Sequence, residues 1–530
     1  MASPPPITAA EAPDLDQVGA WLKKMIAERR FVELVVAILS LLTRLRDLNT
    51  ELVRKLADLK KKRPPSETLE RLERQLAKSN GKEPEKRKRT RSPRAGGRPP
   101  LPPHLPRVDI PNNVPADQRK CPICGAEMKT VRPSICETLS IVPAKLVVRR
   151  RIDETIACPN DDTIVSAPPP PAIVERGKLH DSIIVEALAD KYLEHLPIER
   201  QCVDFARRGV EIAPQTLGRS VMAAIDVLEP IAKLIREQTR GPGLLATDAS
   251  GIPILDPKAT MGIRTGSMWC WTNARWVTFS YSPVGDSDSV RRFLGADLAR
   301  TVQCDGTNIM TFVERAGGKR PGCWSHGRRR VVSAAKLGDK IALEGVRLMA
   351  RLFAIEKASA LAGENAEQRR ARRDAESRPL IEELRAWIED KRATTPPKTP
   401  LGRGLNYLYR QWRRLVLFLD DGNIELTNNR RERELRRLVL GRKNWLFTWL
   451  DDGGDRTAAI LTVIATCIAH DVNPRAYLHI VTKLIVNGWP KSKLRDLLPD
   501  RILATNPDVY VGEEREAALP DAPAALLLGA

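Results

Sequence analysis

The sequence predicts a multidomain α/β protein, and three observations carry that expectation. At 530 residues the chain is too long for a single hydrophobic core. Between residues 241 and 332, apolar runs rich in β-branched and aromatic residues alternate with turn residues and close on a basic helix. From 333 onward the chain turns to an Ala-, Leu-, Arg- and Glu-rich pattern without strand signals.

Charge narrows the class of partner. Lys and Arg number 87 against 66 Asp and Glu, a formal net charge of +21. A basic excess that is clustered as well as abundant attracts polyanions, DNA or RNA above all. No apolar run approaches the roughly 20 residues that span a bilayer. The opening MASPPPITAAEAPDLDQ lacks the charged-then-apolar pattern of a secretory leader, so a soluble, cytoplasmic protein without membrane contact is expected. Nine cysteines in so long a chain do not form a disulfide framework.

After a flexible start at 1–30, residues 31–80 carry a heptad seam: Leu34, Ile38, Leu41, Leu45, Leu48, Leu52 and Leu59, with Lys55 the polar interruption. Spacing of this kind favours a coiled coil and a homo-oligomer over a lone amphipathic helix. Pro64 and Pro65 end the seam, and residues 81–115 form a basic, Pro- and Gly-rich linker. Residues 116–170 contain a CxxC knuckle, Cys121 and Cys124, followed by Cys158 and Asp161 in the positions of a second knuckle. Thiolates at that spacing make a zinc-ribbon-like site, with Asp161 as fourth ligand and Cys136 or Asp162 as other candidates.

Residues 171–240 read as helices. Gly209 marks a turn and Pro214 suits the first turn of a following helix, a helix-turn-helix pattern that would present Gln215, Thr216 and Arg219 to a DNA groove. In 241–332, GLLATD and RTVQCDG are strands that end on acids, Asp248 and Asp305. GSMWCWTNA and RWVTFSYSP read as two adjacent strands, and RPGC as a short strand entering the helix of SHGRRR. Residues 333–404 are a helical block closed by the loop TPPKTPLGRG. In 405–450 a helix ends at Gly422, and a second begins with Asn428 or Asn429 as cap and stops at Gly441. A helical segment spans 451–490 and a loose tail 491–530.

Asp248 and Asp305 are placed to be neighbours in one sheet, while Glu432 sits in the basic run NNRRERELRR. Taken singly, each has a bland reading, a turn former or a helix-surface ion-pair partner. Two-metal phosphoryl transfer requires a small carboxylate cluster, which three acids scattered along a chain rich in acids do not by themselves identify.

The blocks GRPPLPPHLPR, CPICG, KYLEHLPIERQ, ATDAS, QCDG, GCWSHGRRR, NNRRERELR, GRKNWLF and NPRAYL occur in order between Gly97 and Leu478, within a likeness that covers roughly residues 31–485. In this the chain resembles the bacterial DDE transposases of the insertion sequence sixty-six family. The resemblance implies an RNase H-like mixed sheet, with Asp248, Asp305 and Glu432 as its two Asp and one Glu and with two Mg²⁺ or Mn²⁺ ions as cofactors. The 127 residues from Asp305 to Glu432 are then accounted for by the helical block as an insertion. Zn²⁺ at the ribbon is a second implied metal.

Arg328, Arg329, Arg330, Arg433, Arg436, Arg442 and Lys443 are expected contacts to the DNA backbone, and His326 a candidate near the scissile phosphate. Implied partners are double-stranded DNA at element ends and at the target, and small accessory proteins of the same element. The chain departs from the family pattern at Ala249, Ser250, Thr307 and Thr427 and in the CxxD knuckle, but none of these removes an acid of the triad. Two other functions stand beside this one: an inactive DNA-binding accessory protein or repressor, and an RNase H-like nuclease that cuts without joining.

Overall fold

The computed structural model describes residues 146–157 and 164–502, together with 23, 24, 26–28, 31, 123 and 126. The heptad seam, the basic linker, the zinc-ligand candidates Cys121, Cys124, Cys158 and Asp161, and the chain beyond 502 lie outside the described residues.

Short strands β1 (Thr155–Ala157) and β2 (Ile164–Ser166) pair antiparallel. Three helices follow, α1 (Asp181–Tyr192), α2 (Ile198–Arg207) and α3 (Pro214–Thr239). Gly209, with φ of 83°, makes the turn before α3, where a side chain would be strained. Gln215, Thr216 and Arg219 on α3 are exposed.

The central sheet is built from β3 (Leu245–Leu255), β4 (Ile263–Thr272), β5 (Val277–Ser282), β6 (Val302–Gln303) and β7 (Thr448–Trp449). Its order is β5-β4-β3-β6, with β7 pairing further along β3. The first three strands are antiparallel to their neighbours, whereas β6 and β7 both run parallel to β3. Helix α4 (Ser287–Leu294) lies between β5 and β6 in sequence.

The residues of MWCWT are buried in succession because both sheet faces are covered. Met268 and Cys270 join Ile252, Ile254 and Phe279 in one core with Leu228 and Ile231 of α3 and with Ile460 and Ile464 of α12 (Leu450–Ala469). Trp269 and Trp271 face the other way, onto Val290 and Phe293 of α4. There the Trp271 and Phe293 rings stack with centroids 4.1 Å apart. Helix α13 (Pro474–Val486) extends the first core through Tyr477 and Leu478.

Between β6 and the C-terminal part stand α5 (Thr311–Arg315), α6 (Trp324–Ala335), α7 (Lys340–Leu361), α8 (Ala366–Arg372), a π-helical turn at Arg373–Ser377, α9 (Arg378–Thr394) and α10 (Pro400–Leu415). Helix α11 (Asn429–Trp445) then leads to β7. Helices α6, α7, α9 and α10 close on a core of their own around Trp324, Val331, Val346, Leu384 and Leu405.

Several local expectations need correction. The strand of GLLATD does not end at Asp248 but runs on to Leu255, and the helix expected to reach Gly422 stops at Leu415. Of the tail expected to be loose, Leu497, Leu498 and Ile502 are buried in the first core. The loop TPPKTPLGRG already contains the start of α10: Pro400 stands in its first turn, and the Thr399 side chain accepts from the Gly402 N–H at 3.0 Å. The segment RPGC is no strand. Lys319 and Pro321 carbonyls accept from Val302 and Cys304 of the β6 region, but Pro321 has no N–H to return and the ladder ends. Gly441 does not stop α11, which runs on to Trp445 and breaks at Leu446 with φ of 64°. Glycine is needed at 441 because a Cβ there would lie 2.7 Å from the Trp445 indole nitrogen.

Strand β5 is a sheet edge, and edges leave backbone groups without ladder partners. Here α12 supplies them. The Phe279 N–H donates to the Thr462 hydroxyl at 2.9 Å, and the Thr466 hydroxyl donates to the Val277 carbonyl at 2.8 Å. Thr462→Val keeps the shape and removes the acceptor, which should cost about 1–3 kcal/mol as a buried amide loses its partner. Urea unfolding of the variant checks this, and an unchanged midpoint would contradict it.

Candidate active site

Register brings two acids together. Leu245 pairs with Val302 and Ala246 with Gln303 in the parallel β3–β6 ladder. Two residues further on, past the end of the ladder, stand Asp248 and Asp305. Paired residues of parallel strands share a face, and neighbouring strands lie about 4.8 Å apart. Asp248, still within β3, and Asp305, just past β6, therefore fall on the same face, the one that carries Ala246, Ile252 and Ile254. Each is half-buried, and each turns one carboxylate oxygen onto the backbone just ahead of it. Asp248 accepts from the Ala249 N–H at 2.8 Å and Asp305 from the Thr307 N–H at 3.1 Å.

Gly306 lets α10 approach this edge, since a Cβ there would lie 2.9 Å from the ring of Tyr407. Burial, and then the charge of Asp305, push the Tyr407 hydroxyl up to about 12, so it stays a neutral phenol. The Arg330 guanidinium lies 4.3 Å from the centre of the same ring.

The third element is the approach to α11, which is tied down at four points. The buried Arg373 guanidinium, paired with Glu356 at 2.7 Å, also donates to the carbonyls of Phe418 at 2.6 Å and of Asp421 and Ile424 at 3.0 Å. Gln303 of β6 donates through its side-chain amide to the Glu425 carbonyl at 2.5 Å. The Trp324 N–H donates to the Leu426 carbonyl at 3.1 Å. Finally Asn428, fully buried, donates from its side chain to the Thr247 carbonyl at 3.0 Å, while its backbone N–H donates to the Cys323 sulfur at 3.1 Å. Asn428 thus does not cap α11 with its side chain, as expected from sequence, but clamps it to the residue before Asp248.

At the far end of α11, Arg442 donates to the Ser250 hydroxyl at 3.1 Å and to the Gly251 carbonyl. Leu435 and Leu438 enter the core beside Ile252 and Ile254. Helix α11 therefore lies along β3 on the aspartate-bearing face and covers the edge between β6 and β7. Glu432 falls in its first turn, four residues after Asn428. The Glu432 side chain lies outside the described residues.

Among the described residues no group of three or more His, Cys, Asp and Glu side chains is placed to hold a metal ion. A different acid pair, Asp256 and Asp451 at the opposite end of β3, is taken up by Arg264 at 2.9 and 2.5 Å. The Arg264 contact holds both carboxyls below the usual range, which makes this pair a structural clasp.

The expected DNA contacts divide. Arg329, Arg330, Arg433, Arg436 and Lys443 are exposed on α6 and α11. Arg328 lies 5.8 Å from the centre of the Phe353 ring, and Arg442 serves the β3 edge. His326 is half-buried on α6. Sequence reasoning missed Gln303, Arg373 and Tyr407. A polar residue in an apolar strand was the one visible signal for Gln303, and the spacing around the other two carries none.

A mixed sheet with one acid inside β3, another just past the parallel strand β6, and a basic helix laid beside them is an arrangement suited to nucleic-acid processing. The chain belongs to the IS66 transposase family, whose model matches residues 176–456. Among its relatives, the uncharacterized protein y4hP of Sinorhizobium fredii is 29% identical over 407 residues, which is 72% of each chain. The uncharacterized protein y4jD of the same organism is 29% identical over 420 residues, covering 75% of this chain and 81% of the relative.

Removing the Asn428 amide leaves the Thr247 carbonyl and the entry to α11 without their tie. Asn428→Ala should lower stability by about 1–3 kcal/mol and raise amide exchange in the first turn of α11. Hydrogen exchange read by mass spectrometry checks this. Unchanged protection there would show that the other three ties suffice.

Proposed function

We propose that this protein is a DDE-type DNA transposase that cuts at insertion-sequence ends and joins the freed ends to target DNA, using Asp248, Asp305 and Glu432 on an RNase H-like core. The observation that supports the reading is the β3–β6 register: Asp248 and Asp305 each follow its last pair by two residues, and α11, which carries Glu432, lies along the same face. Three carboxylates are hard oxygen donors, the set that suits Mg²⁺ or Mn²⁺. Two such ions, when bound, would activate the attacking oxygen and stabilise the leaving one.

The chain's own residues supply the rest. Asp248 and Asp305 hold their orientation through local backbone hydrogen bonds, and the Asn428 and Arg373 ties fix the helix of Glu432. Exposed arginines of α6 and α11 hold phosphates on either side of the site. In the first step a water oxygen bonds to phosphorus and the bond to the 3′ oxygen breaks, which frees a 3′-OH at the element end. In the second, that 3′-OH bonds to a target phosphorus and the target's own 3′ oxygen departs as a hydroxyl. Both steps are displacements at phosphorus and need no covalent protein–DNA intermediate.

The segments ahead of the core fit the same role. The heptad seam joins copies of the chain, the ribbon with Cys121, Cys124, Cys158 and Asp161 takes Zn²⁺, and the α2–α3 pair reads the element ends. Asp248→Asn, Asp305→Asn and Glu432→Gln should each abolish Mn²⁺-dependent cleavage of terminal DNA, by more than about a hundredfold, while duplex binding persists. Joined products in the wild-type reaction separate a transposase from a nuclease. Cleavage that survives Asp305→Asn sinks the assignment, and a wild-type protein that binds terminal DNA without cutting it is an accessory factor.

A further inference from the structure

Two stretches of the chain contain no Asp or Glu at all. Residues 315–338 hold seven Lys and Arg, and residues 393–419 together with Lys391 and Arg392 hold another seven. The fold packs these stretches together as α6 and α10. Glycines at the crossing permit the close approach: a Cβ at Gly327 would lie 2.4 Å from Leu408, and one at Gly404 would lie 3.3 Å from Val331. The shared outer surface begins at the Asp305 turn, where Arg330 covers Tyr407, and continues along α10 through Arg403, Arg410 and Arg413, all exposed.

Several arginines elsewhere on the surface are matched with acids. Arg351 meets Glu383 at 2.8 Å, Arg378 meets Asp374 at 2.7 Å, and Arg456 meets Asp226 at 2.7 Å. Arg330, Arg403, Arg410 and Arg413 have no carboxylate within ion-pair distance among the described residues. Like charges at helical spacing repel, by a few tenths of a kcal/mol for each pair. Glu314 is taken up by Arg414 of α10 at 2.6 Å, and the remaining charges, kept together, make this face complementary to a polyanion.

We infer that the outer face of α10, continuous with α6, is a duplex-DNA track that holds the phosphate backbone as it leaves the Asp305 edge. The inference rests on the proposed DNA chemistry and adds to it a surface in the helical block. Arg403 and Arg413 are ten residues apart, about 15 Å along the helix, which spans about four base pairs of B-form DNA. Arg410 lies between them on nearly the same side of α10. The face touches backbone and not base edges, so it contributes affinity without sequence preference.

Salt dependence tests this directly. The full-length protein is titrated with a short duplex of arbitrary sequence between about 50 and 200 mM salt. Replacing Arg403→Gln, Arg410→Gln and Arg413→Gln together should make the slope of log K against log salt shallower by about 2.7, about 0.9 for each phosphate that no longer meets an arginine. A control with Arg351→Gln, Arg378→Gln and Arg456→Gln changes net charge equally and should leave the slope near the wild-type value. A wild-type slope in the α10 variant overturns the inference, and so does an equal fall in the control. Arg410→Gln alone should give about a third of the effect and keeps the test open if the triple variant does not fold. Asp305→Asn should keep the full slope while cutting is abolished, so failure of the proposed chemistry and failure of this surface are read in separate assays.

Discussion

The parallel pairing of β3 with β6 is the constraint on which the rest of the structure depends. It amounts to two residue pairs, Leu245 with Val302 and Ala246 with Gln303. A slip of one residue would turn Asp305 to the opposite sheet face, toward the tryptophans. What prevents the slip is burial on both sides. Val302 belongs with Trp269 and Trp271 in one core, while Gln303, on the other face, finds its partner in the Glu425 carbonyl. A short ladder is thus fixed by side chains that have one place each to go.

The helical block between β6 and α11 has a mechanical part in this arrangement. Its core holds α6 and α10 in contact, and its π-helical turn carries Arg373 into the interior. There the guanidinium collects the carbonyls of the strand-free stretch ahead of α11, with Glu356 balancing its charge. A buried charge is costly unless it is paired and fully hydrogen-bonded, and Arg373 satisfies that condition. The long separation of Asp305 and Glu432 in sequence is spanned by a folded unit that positions the returning chain. Asn428 then fastens that chain to β3.

Much of the fold was legible in the sequence because its signals are local. Acids at the ends of apolar runs, the tryptophan-rich strand β4, Gly209 with Pro214, and the strand-free helical block each declare themselves within about a dozen residues. The two candidate aspartates stand out in the sequence for the same reason. The ties that hold it were not. Arg373 meets Phe418, Asn428 meets Thr247, and Tyr407 meets Gly306 across sequence separations that no periodicity encodes. Asn428 was misread because a polar residue ahead of a helix is usually its cap, and here burial against β3 offered the amide a different acceptor. Pro400 and Thr399 were overlooked as a helix start because the surrounding prolines and glycines read as loop.

The central claim is that Asp248, Asp305 and Glu432 share one cation-binding pocket. Diffraction from crystals soaked in Mn²⁺, recorded with anomalous scattering, addresses it most directly. The account predicts anomalous density between the carboxylates of Asp248 and Asp305, with the Glu432 carboxylate reaching in from α11. Density absent from that position, or a Glu432 side chain turned away from both aspartates with manganese bound, would contradict it.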